Sequence, residues 1–421
     1  MTTKNGQVHQ SSNLPPARRS TTPVPRPHQD EVTEWPDGDW WAEAPVSANA
    51  QARHGEGSRR RRKPYRATAA RRIGRSATAL VAILIVGALI WVGQNPAGEN
   101  KDALDAYREQ TLQENAEAAS AASEGSSSIV PTAVEADLGE GPTIDGPAPG
   151  KSSSVTLQSG DRKRDAIVSL PEGYSADKPH PVVMAYPGYR ESAKNLQNYT
   201  KFDRLPAIVV YMQGVGNSWE GAPYAKTKDG EDIRFTRDML AALNSTYNVD
   251  GSRIYAAGMS NGGGMVAKLA CRHPELFAAV ASVAGAYYKG TRTNCVQDAE
   301  RAPSFLEIHG TKDETIGYKG GSRHGGAYLA TRDLVEQFAD RNNCERSPVT
   351  TALAGDVQRL QWPMCTAGTD VVHLRVGDGG HSWPGDASGK SGAASGSAEA
   401  TSYSLDASTE VWDFLSGHHL T

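Results

Sequence analysis

A short apolar run meets Gly258-Met259-Ser260-Asn261-Gly262 and continues into a helix-like stretch ending at Arg272. Gly-x-Ser-x-Gly between a strand and a helix is the pattern of a nucleophile elbow. Such a turn holds its central residue in a strained backbone conformation. Glycine is needed two positions to either side, because a Cβ there would meet the neighbouring strand and helix. Ser260 is thereby lifted clear of a sheet, where its hydroxyl can meet both a carbonyl carbon and an imidazole. The amide of Asn261, in the first helical turn, points to where an oxyanion would form.

A serine used in this way needs a base to take its proton and an acid to orient that base. On this kind of scaffold they follow in the order Ser, Asp or Glu, His, each after a strand. Both positions are filled. After the apolar run 305–309 comes Gly310-Thr311-Lys312-Asp313, which makes Asp313 the candidate acid, with Glu314 as the adjacent alternative. After the run 371–376 comes Gly377-Asp378-Gly379-Gly380-His381, whose glycines let the backbone carry His381 back over the sheet as the candidate base. Among the other histidines after Asp313, His324 sits in a glycine-rich loop, His373 inside a strand, and His418 and His419 at the end of the chain. A second oxyanion donor is expected from the loop that holds Pro187, Gly188 and Tyr189. Pro187 has no N–H to give, so the amide of Tyr189 is the candidate. Trp219, and Trp383 beside the base, are candidates to line an acyl or aryl pocket, while Glu231 and Asp232 read as the acidic first turn of a helix.

These residues need a frame. Strands are expected at 165–170, 181–186, 207–211, 253–257, 279–283, 305–309 and 371–376, most of them continuous apolar runs, as strands buried on both faces of a parallel sheet require. Helical patterns lie at 233–247, 264–272, 327–341 and 408–418. Alternating strand and helix over 151–421 predicts one α/β catalytic domain.

The first 150 residues have another character. The 421-residue chain carries 43 Gly, 24 Pro and only 7% aromatics, too loose a composition for uniform packing. Residues 1–75, rich in Pro, Arg and Ser, read as a disordered basic tail. Residues 77–93 carry no charge, and 17 residues make a helix of about 26 Å, enough for a short membrane span. Arginine and lysine crowd its N-terminal flank, so 76–93 reads as a retained signal anchor with the N-terminus cytoplasmic and everything after it outside. Residues 94–150, rich in Ala and Glu and then in Gly, Pro and Ser, read as an extracytoplasmic linker. The formal charge of −4 argues for no nucleic-acid partner. All four cysteines, Cys271, Cys295, Cys344 and Cys365, follow the span. An even set placed there suits two disulfides in an oxidising compartment, with three pairings open.

With these motifs in order, the domain resembles the α/β-hydrolase family of extracellular poly(3-hydroxybutyrate) depolymerases and related feruloyl and acetylxylan esterases. The resemblance covers about 160–421. It rests on the glycine-rich elbow at 258–263, on 271–280 leading to Gly285, on His309 to Asp313, on Asn342-Asn343-Cys344, on Gly380 to Gly385, and on the closing segment 407–415. It implies an α/β-hydrolase fold with a mostly parallel sheet, Ser260 as nucleophile, Asp313 as acid, His381 as base, no metal or cofactor, and disulfides pairing Cys271 with Cys295 and Cys344 with Cys365. The chain departs from the family in carrying Pro187-Gly188 where His-Gly is usual. The Gly/Ser/Ala-rich stretch 385–402 reads as an insertion beside the base. The expectation is a membrane-anchored serine esterase acting on a small, oligomeric or envelope acyl ester. The alternatives are an envelope acyltransferase and an inactive envelope-binding protein.

Overall fold

A computed structural model describes residues 134–293, 295–296, 302–366, 368–389, 391 and 400–420. The basic tail, the apolar run 77–93, the linker up to residue 133, and residues 390 and 392–399 of the stretch 385–402 lie outside these residues. Among the described residues no helix is long and apolar enough to cross a membrane.

The sheet has ten strands in the order β1-β2-β4-β3-β5-β6-β7-β12-β11-β10. They are β1 (Ser152–Ser159), β2 (Arg162–Ser169), β3 (His180–Tyr186), β4 (Ile208–Met212), β5 (Val249–Met259), β6 (Ala279–Val283), β7 (Ser304–Gly310), β10 (Val349–Ala352), β11 (Val357–Trp362) and β12 (Val371–Val376). The six central strands, from β4 to β12, run parallel, while β1, β2, β11 and β10 pair antiparallel at the two sides. A two-residue loop joins the separate hairpin β8 (Gly321–Arg323) and β9 (Gly326–Tyr328). This is an α/β-hydrolase-like fold.

Parallel strands need crossovers, and the helices that supply them cover both faces. Along each central strand alternate side chains go to opposite sides. Val182 and Met184 of β3, Ile254 of β5 and Phe305 of β7 pack with α2 (Glu231–Thr246), α3 (Asn261–Arg272) and α4 (Thr331–Arg341). Val183, Ala185, Tyr255, Leu306 and Ile308 pack with α1 (Ala193–Thr200) and α5 (Ala407–Ser416). Double burial is why these strands read as unbroken apolar runs.

Three expectations change. The helix foreseen at 327–341 begins only at Thr331, because 326–328 pairs as β9 with β8. Strands β1, β10 and β11 and helix α1 were not foreseen. Residues 134–150, assigned from composition to the linker, are bonded onto the domain: Val134 N donates to Leu420 O at 3.1 Å and Ala136 N to Gly251 O at 3.0 Å, and Leu138 is buried. A Gly/Pro-rich stretch is no bar to docking when its amides find acceptors, and Gly141 N and Ile144 N find the hydroxyls of Ser245 and Thr246 on α2.

The cysteines pair as the resemblance implies, Cys271 with Cys295 and Cys344 with Cys365. The second bridge fastens the end of α4 to the segment between β11 and β12, and its sequence separation is 21 residues. Loop closure of that length is worth about 3 kcal/mol in the unfolded chain. Replacing both Cys344 and Cys365 by Ala is therefore expected to lower the urea midpoint by an equivalent of about 3 kcal/mol, measured by chemical denaturation beside the wild type.

Candidate active site

The site forms outside the C-terminal ends of the parallel strands, where the loops that follow them meet. Ser260 follows β5 directly and has φ 53° and ψ −117°, in the left-handed half of the map. A non-glycine residue held there costs about 1–3 kcal/mol, so its surroundings must over-determine it. They do. Ser260 N donates to Val283 O at 2.9 Å, and Ser260 O accepts from Ala286 N at 2.9 Å and from Gly264 N at 3.0 Å. A Cβ on Gly258 would lie 2.5 Å from the backbone of Gly262, and one on Gly262 would run into the carbonyl oxygens of Tyr186 and Pro187. The close approach that glycine permits is what lets α3 start against β3.

The side chains of Ser260, His381 and Asp313 meet. His381 Nε2 lies 2.9 Å from Ser260 Oγ, and His381 Nδ1 lies 2.7 Å from Asp313 Oδ2, with the histidine and aspartate side chains fully buried. A carboxylate only accepts, so Nδ1 carries the proton and Nε2 is free to accept from the serine hydroxyl. Asp313 Oδ1 accepts from Thr315 N at 2.9 Å and Ile316 N at 2.6 Å. The acid and base loops are tied together, Thr311 N donating to Val376 O at 2.8 Å and Lys312 N to Gly379 O at 3.0 Å. Glu314, the alternative acid, is exposed.

In the loop after β3 the amides on either side of Tyr189 are engaged. Gly188 N donates to Glu191 Oε2 at 3.0 Å, and Arg190 N donates to Asn217 O at 2.8 Å. The Tyr189 amide between them, and the Asn261 amide at the start of α3, donate to no acceptor among the described residues. Gly188 runs close beside the serine, since a Cβ added to it would stand 3.5 Å from Ser260 Cβ.

Trp219 and Trp383 do not line a pocket: both are 1% exposed. Trp219 is a strut. Its backbone N donates to Asn261 Oδ1 and its Nε1 to Pro187 O, each at 2.8 Å, so it spans the start of α3 and the loop after β3. Trp383 packs against Tyr199 and Phe202 and gives its Nε1–H to Ser408 Oγ. An indole buries well once its N–H has a partner, and here Pro187 O and Ser408 Oγ supply the two. The described ends of 385–402 are fastened beside the base, Gly380 N bonding Ala400 O and Gly385 N bonding Ser402 O.

Sequence reasoning missed several members. Glu220 and Lys268 are buried at 3.4 Å from one another, and Glu220 also accepts from the amides of Gly230 and Asp232 at the start of α2. Behind Asp313 stand His309 and Glu307 of β7. A Glu and a His two positions apart inside an apolar strand was the available signal, since that spacing puts both on one face.

Charge in this buried row is set by pairing. Burial pushes the Asp313 carboxyl up, but the imidazoles of His381 and His309 together hold it well below the usual range. Burial pushes His309 down, yet Glu307 and Asp313 on either side raise it to about 10. A histidine raised on folding stabilises fully below its unfolded value of about 6.5, and that contribution is lost as pH rises through the folded value. Stability should therefore fall between about pH 6.5 and about 10. Denaturation at several pH values checks this, with a shallower decline expected in His309→Gln.

Residues 219–323 match the model of the family described as esterase PHB depolymerase, a stretch holding Ser260 and Asp313 and ending before His381. Feruloyl esterase B of Piromyces equi is 27% identical over 231 residues, covering 52% of this chain and 42% of that protein, so the chain spans less than half of this relative. A putative esterase, NocK, of Nocardia uniformis subsp. tsuyamanensis is 27% identical over 245 residues, covering 52% of this chain and 67% of that one. Probable feruloyl esterase C of Aspergillus niger is 25% identical over 252 residues, covering 56% and 83%. Among solved structures, an acetyl xylan esterase from Aspergillus awamori aligns with TM-score 0.43 and 17% identity, covering 55% of this chain and 94% of that one.

Proposed function

We propose that this chain, an α/β-hydrolase of the PHB depolymerase and feruloyl esterase kind, is a serine esterase that works through an acyl-enzyme. The observation that carries the reading is the continuous relay from Ser260 Oγ to His381 Nε2 at 2.9 Å and from His381 Nδ1 to Asp313 Oδ2 at 2.7 Å. Ser260 Oγ attacks the ester carbonyl while its proton passes to His381 Nε2. The oxyanion that forms is held by the amides of Asn261 and Tyr189, fixed donors that need no rearrangement as charge develops. The imidazolium returns the proton to the departing alkoxide, which leaves as the alcohol. Water, deprotonated by His381, then releases the acid from Ser260, and Asp313 keeps the imidazole in the required tautomer throughout.

Beside the oxyanion loop the rings of Tyr189 and Tyr224 stack at 3.9 Å, with His324 edge-on to both at 5.6 and 5.0 Å. Partly exposed rings next to the reacting carbonyl support an ester whose acyl part offers a flat or extended apolar surface, as a feruloyl or hydroxybutyrate unit does. We further propose that the domain faces outward from a membrane, anchored by 77–93. The uncharged run, its basic N-terminal flank and two disulfides in the domain beyond it support this reading.

The test is hydrolysis of p-nitrophenyl esters of graded acyl length by the full chain with its disulfides intact. Wild type is expected to be active and Ser260→Ala to lose at least about a thousandfold in kcat. A wild type inactive on every ester and unlabelled by a fluorophosphonate would sink the reading in favour of an envelope-binding protein. Turnover seen only with an added acceptor alcohol would favour an acyltransferase. Trp219→Phe removes the bond to Pro187 without touching substrate. It should lower kcat about tenfold, the worth of one hydrogen bond, with KM nearly unchanged; a rise in KM alone would restore Trp219 to the pocket wall.

A further inference from the structure

Behind the site the fold buries a row of titratable side chains for which ester cleavage by Ser260, His381 and Asp313 has no evident use. Glu307 is fully buried on β7. Its Oε1 accepts from Tyr287 O–H at 3.0 Å and lies 2.9 Å from His309 Nδ1, and its Oε2 lies 2.8 Å from His373 Nδ1 of the neighbouring β12. His373 Nε2 and the Tyr318 hydroxyl are 2.8 Å apart. The other nitrogen of His309, Nε2, faces Ile316 O at 2.9 Å and Asp313 Oδ2 at 3.1 Å. That oxygen is the one His381 holds at 2.7 Å. One carboxylate oxygen thus lies between two imidazoles, one leading to the serine and the other to a second buried carboxylate.

Burying a carboxylate and an imidazole in a β-sheet core is expensive compared with apolar side chains of equal volume. Phe305 on the same face of β7 is what packing alone would select there.

We propose that His309 is a positioning residue for the catalytic acid: clamped from behind by Glu307, it sets its Nε2 3.1 Å from the Asp313 oxygen that also holds His381, and so governs both where Asp313 sits and how strongly it draws the His381 proton. This rests on the serine-esterase reading above. Between two carboxylates His309 keeps both ring protons at neutral pH. It presents Asp313 with a cation at hydrogen-bonding distance, which offsets part of the negative potential felt by His381. Losing that cation should therefore move the onset of ester cleavage to higher pH.

Other groups face this row. Tyr287 comes from the segment after β6, Tyr318 from the loop after β7 with Arg332 and Arg375 beyond it, and His373 from β12. Toward the front are Glu191, bonded to Gly188 N and Tyr199 O–H, and Asp386, bonded to Ser388 and Ser391. None of these need change when His309 becomes Gln, which keeps an N–H donor and removes the cation. Glu307, deprived of its partner, takes up a proton more readily. The cation was the nearer of the pair to Asp313, so the direction of the effect is kept.

The experiment is the pH profile of kcat/KM for p-nitrophenyl butyrate with the full chain, wild type against His309→Gln, normalised to sites titrated by a fluorophosphonate. The acid limb, which reports neutral His381, is expected to move up by about 1 pH unit, with KM within about twofold and plateau kcat about tenfold lower. An unmoved limb in a fully titratable variant overturns the proposal. If the variant does not fold, 15N-histidine spectra of the wild type decide: one imidazole must keep both ring protons above about pH 9, and a spectrum with none overturns it as well. A wild type that neither turns over ester nor takes the label removes the underlying reading instead, which the wild type alone distinguishes.

Discussion

Everything at the site depends on one backbone conformation that an L-residue does not adopt without help, the φ of 53° at Ser260. A serine with ordinary strand dihedrals would point into one face of the sheet, and one in a helix would point along its side. The strained turn does neither and leaves Oγ at the end of β5, where other loops can reach it. The conformation persists because its N–H and C=O are both spoken for by the segment 283–286 and because glycines leave α3 room to begin against β3. The energy to hold it comes from the packing of α3, whose residues from Asn261 to Cys271 are all buried.

That packing extends to the loops after β3 and β4. The loop after β4 carries Trp219 and Glu220 in succession: one bonds the side chain of Asn261 and the carbonyl of Pro187, the other sits 3.4 Å from Lys268 on α3 and caps the start of α2. Lys268 is fully buried and also reaches Asp229. Removing one member of such a cluster leaves an uncompensated buried charge, so the loop and the nucleophile helix are held as one unit. The loop after β3 and the start of α3 are thus fixed by ionic and indole contacts.

How much of this was legible depended on how local the signal was. The ends 279–283 and 371–376 coincide with β6 and β12 because strands buried on both faces announce themselves as unbroken apolar runs. Strand β1 buries only alternate residues and β10 none, so neither stands out from a polar loop. Ser260, Asp313 and His381 each lie in a short glycine-containing motif after a strand, and spacing alone singled them out. Burial of Trp219 and Trp383 was not readable, since a tryptophan beside a catalytic residue suits a pocket and a core equally well. His309 and Glu307 were visible as polar residues in an apolar strand, but their partners come from β12 and from the loops after β6 and β7, contacts that no local pattern encodes.

On the esterase reading proposed above, the same loops would carry both reactivity and recognition. Tyr189 keeps an amide that donates to no acceptor among the described residues, while its ring stacks on Tyr224 and carries the Arg190 guanidinium 5.1 Å from its centre. Tyr224 in turn meets Tyr288 edge-on, and Tyr288 pairs with Tyr328 of the small hairpin whose two-residue turn, His324-Gly325, has positive φ at both positions. Such a turn keeps the hairpin short and stiff. A side chain inserted among these rings therefore cannot shift Tyr189 without also moving the amide that the oxyanion would use. Variation in acyl preference should then be found at Tyr224, His324 and the hairpin, where rings can change while the amide of Tyr189 and the elbow stay in place.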